Sequence, residues 1–207
     1  MATGQTSLLQ IPLMIFLRLP KSTIWYNLSD DGFLKALLRL CERRLRLSLL
    51  LRRMKKDRGT ISASISRDPV RRIRMTTRGT GGREAISHYN VVRRLDTVFG
   101  KFTLIEVRID TGRTHQIRVH MASVGHPVVG DALYGAPKEM RARRGRATDE
   151  GAAISLPRNF LHAAQLELTH PRTGERIALK SPIPPELQAF LESVEKDIPS
   201  SVSTKGG

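Results

Sequence analysis

The apolar positions of this chain follow three successive patterns, and each predicts a different kind of element. Up to residue 53 the chain is leucine-rich and irregular, and residues 34–53 are dense in helix-forming side chains whose leucines fall on too many faces for a clean stripe. That composition predicts a helix with no evident packing face. From residue 54 the period shortens to two: residues 60–66 alternate around Ile61, Ala63 and Ile65, and residues 86–94 and 101–110 have the texture of strands. In the last of these, Thr103, Ile105, Val107 and Ile109 share one face, with Phe102, Leu104, Glu106 and Arg108 on the other, and a turn near Phe99 and Gly100 makes the pair a hairpin. Residues 114–124 return to helical spacing. Ile117, Met121 and Val124 form the stripe expected in the core, His115, Arg118 and Ala122 the stripe expected outside, and Gly125 and then Pro127 stop the helix. A strand pair turned at residues 171–174, a helix over 185–195 and a polar, disordered tail complete the pattern. Strands outnumber helices and join through tight turns, which predicts an α+β fold: a mixed, mostly antiparallel sheet with flanking helices. No internal repeat is present.

Charge adds a partner to this picture. The net charge is +16 and the pI about 11.1, spread along the chain and not confined to a tail. Such a field attracts polyanions, because lysine and arginine displace the counterions condensed on phosphates. Nucleic acid is the expected partner, and an anionic membrane surface is the competitor. Residues 67–84 form a basic, glycine-broken loop carrying Arg71, Arg72 and Arg74, which is either a phosphate contact or a solvated connection. Residues 138–158 read as a polar, basic surface excursion. Cys41 is the sole cysteine, so the chain has neither an intrachain disulfide nor a cysteine-rich metal site. The apolar run at residues 8–19 is interrupted by Pro12 and Arg18 and falls short of the ~20 residues that span a bilayer. It also lacks a basic leader and a clear cleavage pattern, which leaves the cytoplasm as the expected compartment.

The chemistry concentrates in RIDTGRTHQIRVHMASVGHPVVGDALYG, residues 108–135. A strand that leads through a glycine turn into a helix commonly presents a polar site. Arg113 and Thr114 stand at the expected helix start, and Arg118 can pair with a phosphate or hold a carboxylate ionised. The plainer roles here are structural ones for His120 and His126, turns for Gly125, Gly130 and Gly135, and capping and packing for Asp131 and Tyr134. Residue types alone indicate an anion- or nucleotide-handling site and name no reaction.

The run GRTHQIRVHMASVGHPVVGDALYG resembles a late motif of the RluA-type family of RNA pseudouridine synthases, and the resemblance extends through RDPVRRIRM, GGREAISHY, LHAAQLELTHP and SPIPPEL in order. It implies the later half of a catalytic domain over residues 54–195, which isomerises uridine to pseudouridine in ribosomal or transfer RNA. It further implies no cofactor, no metal and no membrane, and we expect a monomer. By the same resemblance Arg118 is the arginine that pairs with a nucleophilic aspartate across a uridine-sized cleft. Arg113, Thr114, His115, Gln116, Arg71, Arg72 and Arg74 are the expected RNA contacts. Two features of the family are absent upstream: an HRLD and threonine-serine-glycine motif, and a tyrosine-bearing strand just before MKKDRG, where this chain reads RLRLSLLLRR. Arg94-Leu95-Asp96 is followed by TVFG, and Asp30, Asp31 and Asp110 lack the flanking pattern, so no nucleophile is assigned. Residues 1–53 are accordingly expected to be an unassigned segment arising from a shifted reading frame or a misplaced start, with a disordered tail over 196–207. The alternative function is a non-catalytic, basic RNA-binding remnant of such an enzyme.

Overall fold

The computed structural model describes residues 14–19, 22–27, 41–142, 152–169 and 173–196. The chain divides into two compact units, Met1–Glu42 with Leu168–Ile177, and Arg43–Glu167 with Ala178–Gly207. In the first, β1 (Met14–Leu19) and β2 (Ser22–Asn27) form an antiparallel hairpin with Met14 opposite Asn27. The second unit begins at Arg43, and it carries the candidate site.

A six-stranded sheet is the main scaffold. Its strands are β3 (Cys41–Leu51), β4 (Arg58–Ser62), β7 (Ile86–Thr97), β8 (Gly100–Ile109), β11 (Leu161–Thr169) and β12 (Arg176–Lys180), in the order β12-β11-β3-β8-β7-β4. Short strands β5 (Ser66–Arg67) and β6 (Met75–Thr76) pair with each other, as do β9 (Glu139–Arg141) and β10 (Ala153–Ser155). Among the described residues the helices are α1 (Gln116–Ser123) and α2 (Pro185–Lys196), with a 3-10 turn at Ala132–Tyr134.

The helix expected over residues 34–53 is a strand from Cys41 onward, and it lies inside the sheet between β8 and β11. Leu45, Leu47, Leu49 and Leu51 do alternate, but leucine and arginine both favour helices, and Leu50 breaks the period. The sheet explains that break. A core lies on each of its faces, so a central strand is apolar on both. Leu49, with Leu47 and Leu51 beside it, joins Phe102, Leu104 and Phe160 and the α2 residues Leu187, Phe190, Leu191 and Val194, while Leu50 joins Ile105, Val107, Ile117 and Met121 on the α1 side. Both faces of β8 are buried for the same reason.

The hairpin expected from residues 86–110 is β7 and β8, turned at Val98 and Phe99. A bulge between Val91 and Arg93 moves β7 across the sheet. Tyr89 and Val91 pack on the α1 side, whereas Leu95 beyond the bulge enters the α2 core. The excursion expected at 138–158 contains β9 and β10, and residues 143–151 lie outside the described ones. The expected disordered tail lies outside them from residue 197.

Candidate functional site

Helix α1 is fixed to the sheet by a chain of hydrogen bonds that consumes two of the motif's polar residues. The Gln116 amide nitrogen donates to the Ile86 carbonyl at 2.9 Å and to Ser87 Oγ at 3.1 Å. Its oxygen accepts from Thr111 Oγ1 at 2.8 Å and from the Arg113 amide at 3.0 Å. All four hydrogen-bonding positions of the side chain are thus filled. Ser87 Oγ in turn meets His120 Nδ1 at 2.9 Å, and His120 Nε2 meets the Ala63 carbonyl at 3.1 Å. A carbonyl only accepts, so Nε2 carries the proton and Nδ1 receives the serine hydroxyl. Burial pushes the His120 pKa down and keeps the ring neutral, the Ala63 bond opposing it. Gln116, expected to touch RNA, is 3% exposed and has nothing left to offer a ligand. It is part of the scaffold.

The helix starts at Gln116, after His115 in a left-handed conformation with φ 55°. A non-glycine residue held there is strained, and such strain persists where surrounding contacts over-determine it. Those contacts are with Tyr134, whose hydroxyl lies 2.9 Å from His115 Nδ1 and accepts the Met75 amide at 2.8 Å, the two rings meeting edge to face. Desolvation lowers the His115 pKa, and the Arg118 charge lowers it further against Asp131. Burial raises that of Tyr134. The phenol therefore keeps its proton and the imidazole stays neutral near pH 7.

Arg118 is the centre of this arrangement. Its Nε and one terminal nitrogen reach Asp131 Oδ2 and Oδ1, both at 2.7 Å, and its guanidinium carbon lies 4.9 Å from the centre of the Tyr134 ring. The side chain of Arg118 is 16% exposed and that of Asp131 1%. The fork pairing with Asp131 raises the pKa of the guanidinium and holds it charged. Only two of its five N–H groups are used by Asp131, so the far nitrogen is not committed to that carboxylate. Arg118 is therefore in direct contact with Asp131. The capping role expected of Asp131 is absent: the residue precedes the 3-10 turn without a side-chain cap bond.

Asp131 is held where it is by β3, the strand expected as a helix. The Leu51 amide donates to the Pro127 carbonyl at 3.0 Å, the Val129 amide to Leu49 at 2.9 Å and the Phe160 amide to Val129 at 2.8 Å, which stitches residues 127–129 to β3. Gly130 then turns the chain with φ 77°, and a Cβ there would stand 2.0 Å from the Arg158 carbonyl oxygen. Only glycine fits before this aspartate. Sequence reasoning had the glycine-aspartate pair in view and missed its function, because the pairing of Asp131 with Arg118 spans a turn whose course depends on β3.

The other candidates divide into tied and free. Arg113 donates from Nε to the Glu84 carbonyl at 3.1 Å, and Thr114 is exposed. Arg74, expected to contact RNA, donates to Asp68 Oδ2 at 2.6 Å. Asp68 also takes the Val70 and Arg71 amides at 2.9 and 3.0 Å and so closes the β5–β6 turn. Arg71 and Arg72 are exposed at its tip beside Val70 and Ile73, which are 87% and 78% exposed. Asp96 pairs with Arg53, and Asp110 with His88 and Arg108. Neither pairs with Arg118. Asp30 and Asp31 lie outside the described residues. Among the described residues no group of three or more His, Cys, Asp or Glu side chains is placed to hold a metal, and no helix is long and apolar enough to cross a membrane.

A strand, a glycine turn and a helix that lock one arginine against a buried aspartate and a tyrosine define a prebuilt anion-facing site on an α+β scaffold. Residues 38–123 match the family model described as RNA pseudouridylate synthase. The chain is 41% identical over 157 residues to the ribosomal large subunit pseudouridine synthase D of Nitrosomonas europaea, covering 76% of this chain and 42% of that protein. It is 43% identical over 139 residues to an uncharacterised RNA pseudouridine synthase of Chloroflexus aurantiacus, covering 67% and 38%. Among solved structures, human RNA pseudouridylate synthase domain containing 1 superposes with a TM-score of 0.57 at 25% identity over 81% of this chain and 66% of that one. Over the matched span the chain is similar to RNA pseudouridine synthases of the RluA type. It spans about two fifths of the length of the curated relatives it matches.

Proposed function

We propose that this protein acts on uridine in RNA as the arginine-bearing part of a pseudouridine synthase. The observation that carries the reading is Arg118, forked onto a buried aspartate with further N–H groups uncommitted, within the span that matches the family model. In the isomerisation the bond from the ribose C1′ to uracil N1 is exchanged for one to C5. The C5 hydrogen leaves as a proton, N1 gains one, and no cofactor or metal is required by that balance. The uridine has to leave the base stack to be reached. A guanidinium with N–H groups to spare keeps an attacking carboxylate ionised and pairs with the phosphate or sugar that presents the base. Ribosomal or transfer RNA in the cytoplasm is the substrate and compartment that this reading assigns.

Asp131 is not the attacking acid. It is buried, and the guanidinium takes both of its oxygens. A nucleophile has to reach the sugar. The same fact favours a second reading, in which this chain binds RNA through its basic surface and performs no isomerisation. Tritium release from ribosomal and transfer RNA labelled at uridine C5 separates the two. Release that disappears on Arg118→Lys supports the enzyme, and salt-sensitive RNA binding with no release by the purified chain overturns it in favour of the binding reading.

A further inference from the structure

Where β3 ends and α1 ends, a groove of about 500 Å³ opens on the second unit. Arg52, Arg53, Lys55, Lys56 and His126 line it, and no carboxylate does. Its floor is apolar, made by the buried Met54 and Ile61, and one wall is the ring of Tyr89. Of the neighbouring acids, Asp57 is engaged elsewhere, with Arg94 at 2.6 Å, and Asp96 pairs with the lining residue Arg53 at 3.0 Å, which leaves Arg52, Lys55 and Lys56 as the cations not paired with either. Lys55 and Lys56 are exposed, and neither forms an ion pair among the described residues.

Two parts of the groove are built in advance. Arg52 is held with φ 70°, a left-handed conformation that costs an arginine energy. Its amide donates to the Lys101 carbonyl at 2.7 Å, its carbonyl accepts Thr103 Oγ1 at 3.0 Å, and its guanidinium donates to the Gly125 carbonyl at 3.0 Å. That last bond fastens the cation over the end of α1 with most of its N–H groups unspent. The Tyr89 ring lies against Gly59, where a Cβ would come within 2.6 Å of the phenol oxygen. Glycine at that position lets the ring lie flat along the wall.

We propose that this groove binds the sugar-phosphate backbone of single-stranded RNA, with Lys55, Lys56 and Arg52 on phosphates and Tyr89 against a base. It is a second contact, apart from Arg118, and it rests on the reading that RNA is the partner. A file of cations over an apolar floor with one aromatic wall suits a strand that presents phosphates on one side and base faces on the other. A compact anion would leave the aromatic wall unused.

The test is fluorescence anisotropy of the full chain with a labelled oligouridylate over a range of salt, comparing wild type with Lys55→Ala/Lys56→Ala and Lys55→Arg/Lys56→Arg. The alanine pair is expected to weaken binding about tenfold and to flatten the slope of log affinity against log salt by about 1.4, roughly 0.7 for each phosphate lost. The arginine pair keeps the slope. Photo-cross-linking with thiouridine-substituted oligomer is expected to label the peptide containing Tyr89. Both lysines are exposed and unpaired, so the melting temperature stays unchanged and a folding defect does not imitate the result. An unchanged slope in the alanine pair, with wild type binding normally, overturns the groove while leaving RNA as the partner. Wild type that fails to bind the oligomer overturns both. Loss of binding to phosphatidylglycerol vesicles with no loss on RNA assigns the groove to a membrane and overturns the proposal as well.

Discussion

Arg118 and Lys56 carry the same formal charge and are held in opposite ways. Arg118 is mostly buried, forked against a carboxylate and stacked over a tyrosine ring. Lys56 stands in solvent without an ion pair. The difference is one of information. A buried guanidinium fixed by two hydrogen bonds has one orientation, so it can select a geometry. An exposed ammonium contributes a field that falls away within about 8 Å at physiological salt and reads only the presence of phosphates. If this is right, changes around Arg118 register as folding and geometry, and changes among the free cations register only in the salt dependence of RNA binding.

The largest effect is expected from Asp131→Ala, which leaves a half-buried guanidinium without its partner. Breaking such a pair costs about 3–5 kcal/mol, read as a fall in the urea midpoint. Asp131→Ala combined with Arg118→Met is expected to recover part of that loss, because no lone charge then remains. A double variant no more stable than the single one would show that the pair contributes little. Gly130→Ala comes next, at about 3 kcal/mol, because the added methyl meets the Arg158 carbonyl and the position requires a left-handed backbone. Near-native stability there would mean that the loop carrying Asp131 is loose, and the contrast with Lys56 would weaken. Tyr134→Phe removes the hydroxyl shared by Met75 and His115 and is expected to cost about 1–2 kcal/mol.

The same contrast accounts for what the sequence disclosed. Helix α1, the pair β11 and β12, and helix α2 were legible from their hydrophobic periods and the glycine or proline that bounds them, and β8, buried on both faces like β3, was legible from its β-branched residues and the turn at Val98 and Phe99. Val124 was expected in the core and is 45% exposed, since the helix ends at Ser123 and the residue falls beyond its last turn. Strand β3 was illegible because burial on two faces erases alternation, and its leucines and arginines favour a helix when taken alone. Arg118 was legible as a type and a position. Its partner was not, because pairing across thirteen residues of chain depends on a turn that β3 sets from far upstream. Gln116 was expected as a ligand contact, since polar residues in a motif look alike until their hydrogen bonds are traced, and its four are spent within the scaffold.

Acidification tests the buried side of the comparison. His115 and His120 both have pKa values lowered in the folded chain, first by burial. An unfolded histidine titrates near 6.5, so below that pH the unfolded state binds protons that the folded state refuses. Stability is then full above the unfolded value and is lost as pH falls through about 6.5 toward the folded values. Urea midpoints measured from about pH 7.5 down to about pH 5.5, a window around the histidine value, are expected to decline. A flat or rising profile would contradict the neutral assignment of both rings. His120→Asn is expected to lower stability at neutral pH and to make the decline shallower, since one of the two linked groups is gone.

The smallest effect is expected where two arginines of one turn differ only in their partners. Arg74 is bound to Asp68 at 2.6 Å, and Arg72, two residues away, is exposed at the tip. Arg74→Ala removes a charge-assisted bond from the carboxylate that closes the β5–β6 turn and is expected to cost about 1–2 kcal/mol. Arg72→Ala is expected to leave stability within about 0.5 kcal/mol and to lower the salt slope of RNA binding by about 0.7–0.9, the share of one phosphate. Circular dichroism melts and salt-titrated binding on the two variants separate the effects. Were Arg72→Ala to destabilise the chain and spare the slope, the exposed cations would belong to the scaffold, and the division between fixed and free charge would have to be redrawn from this turn outward.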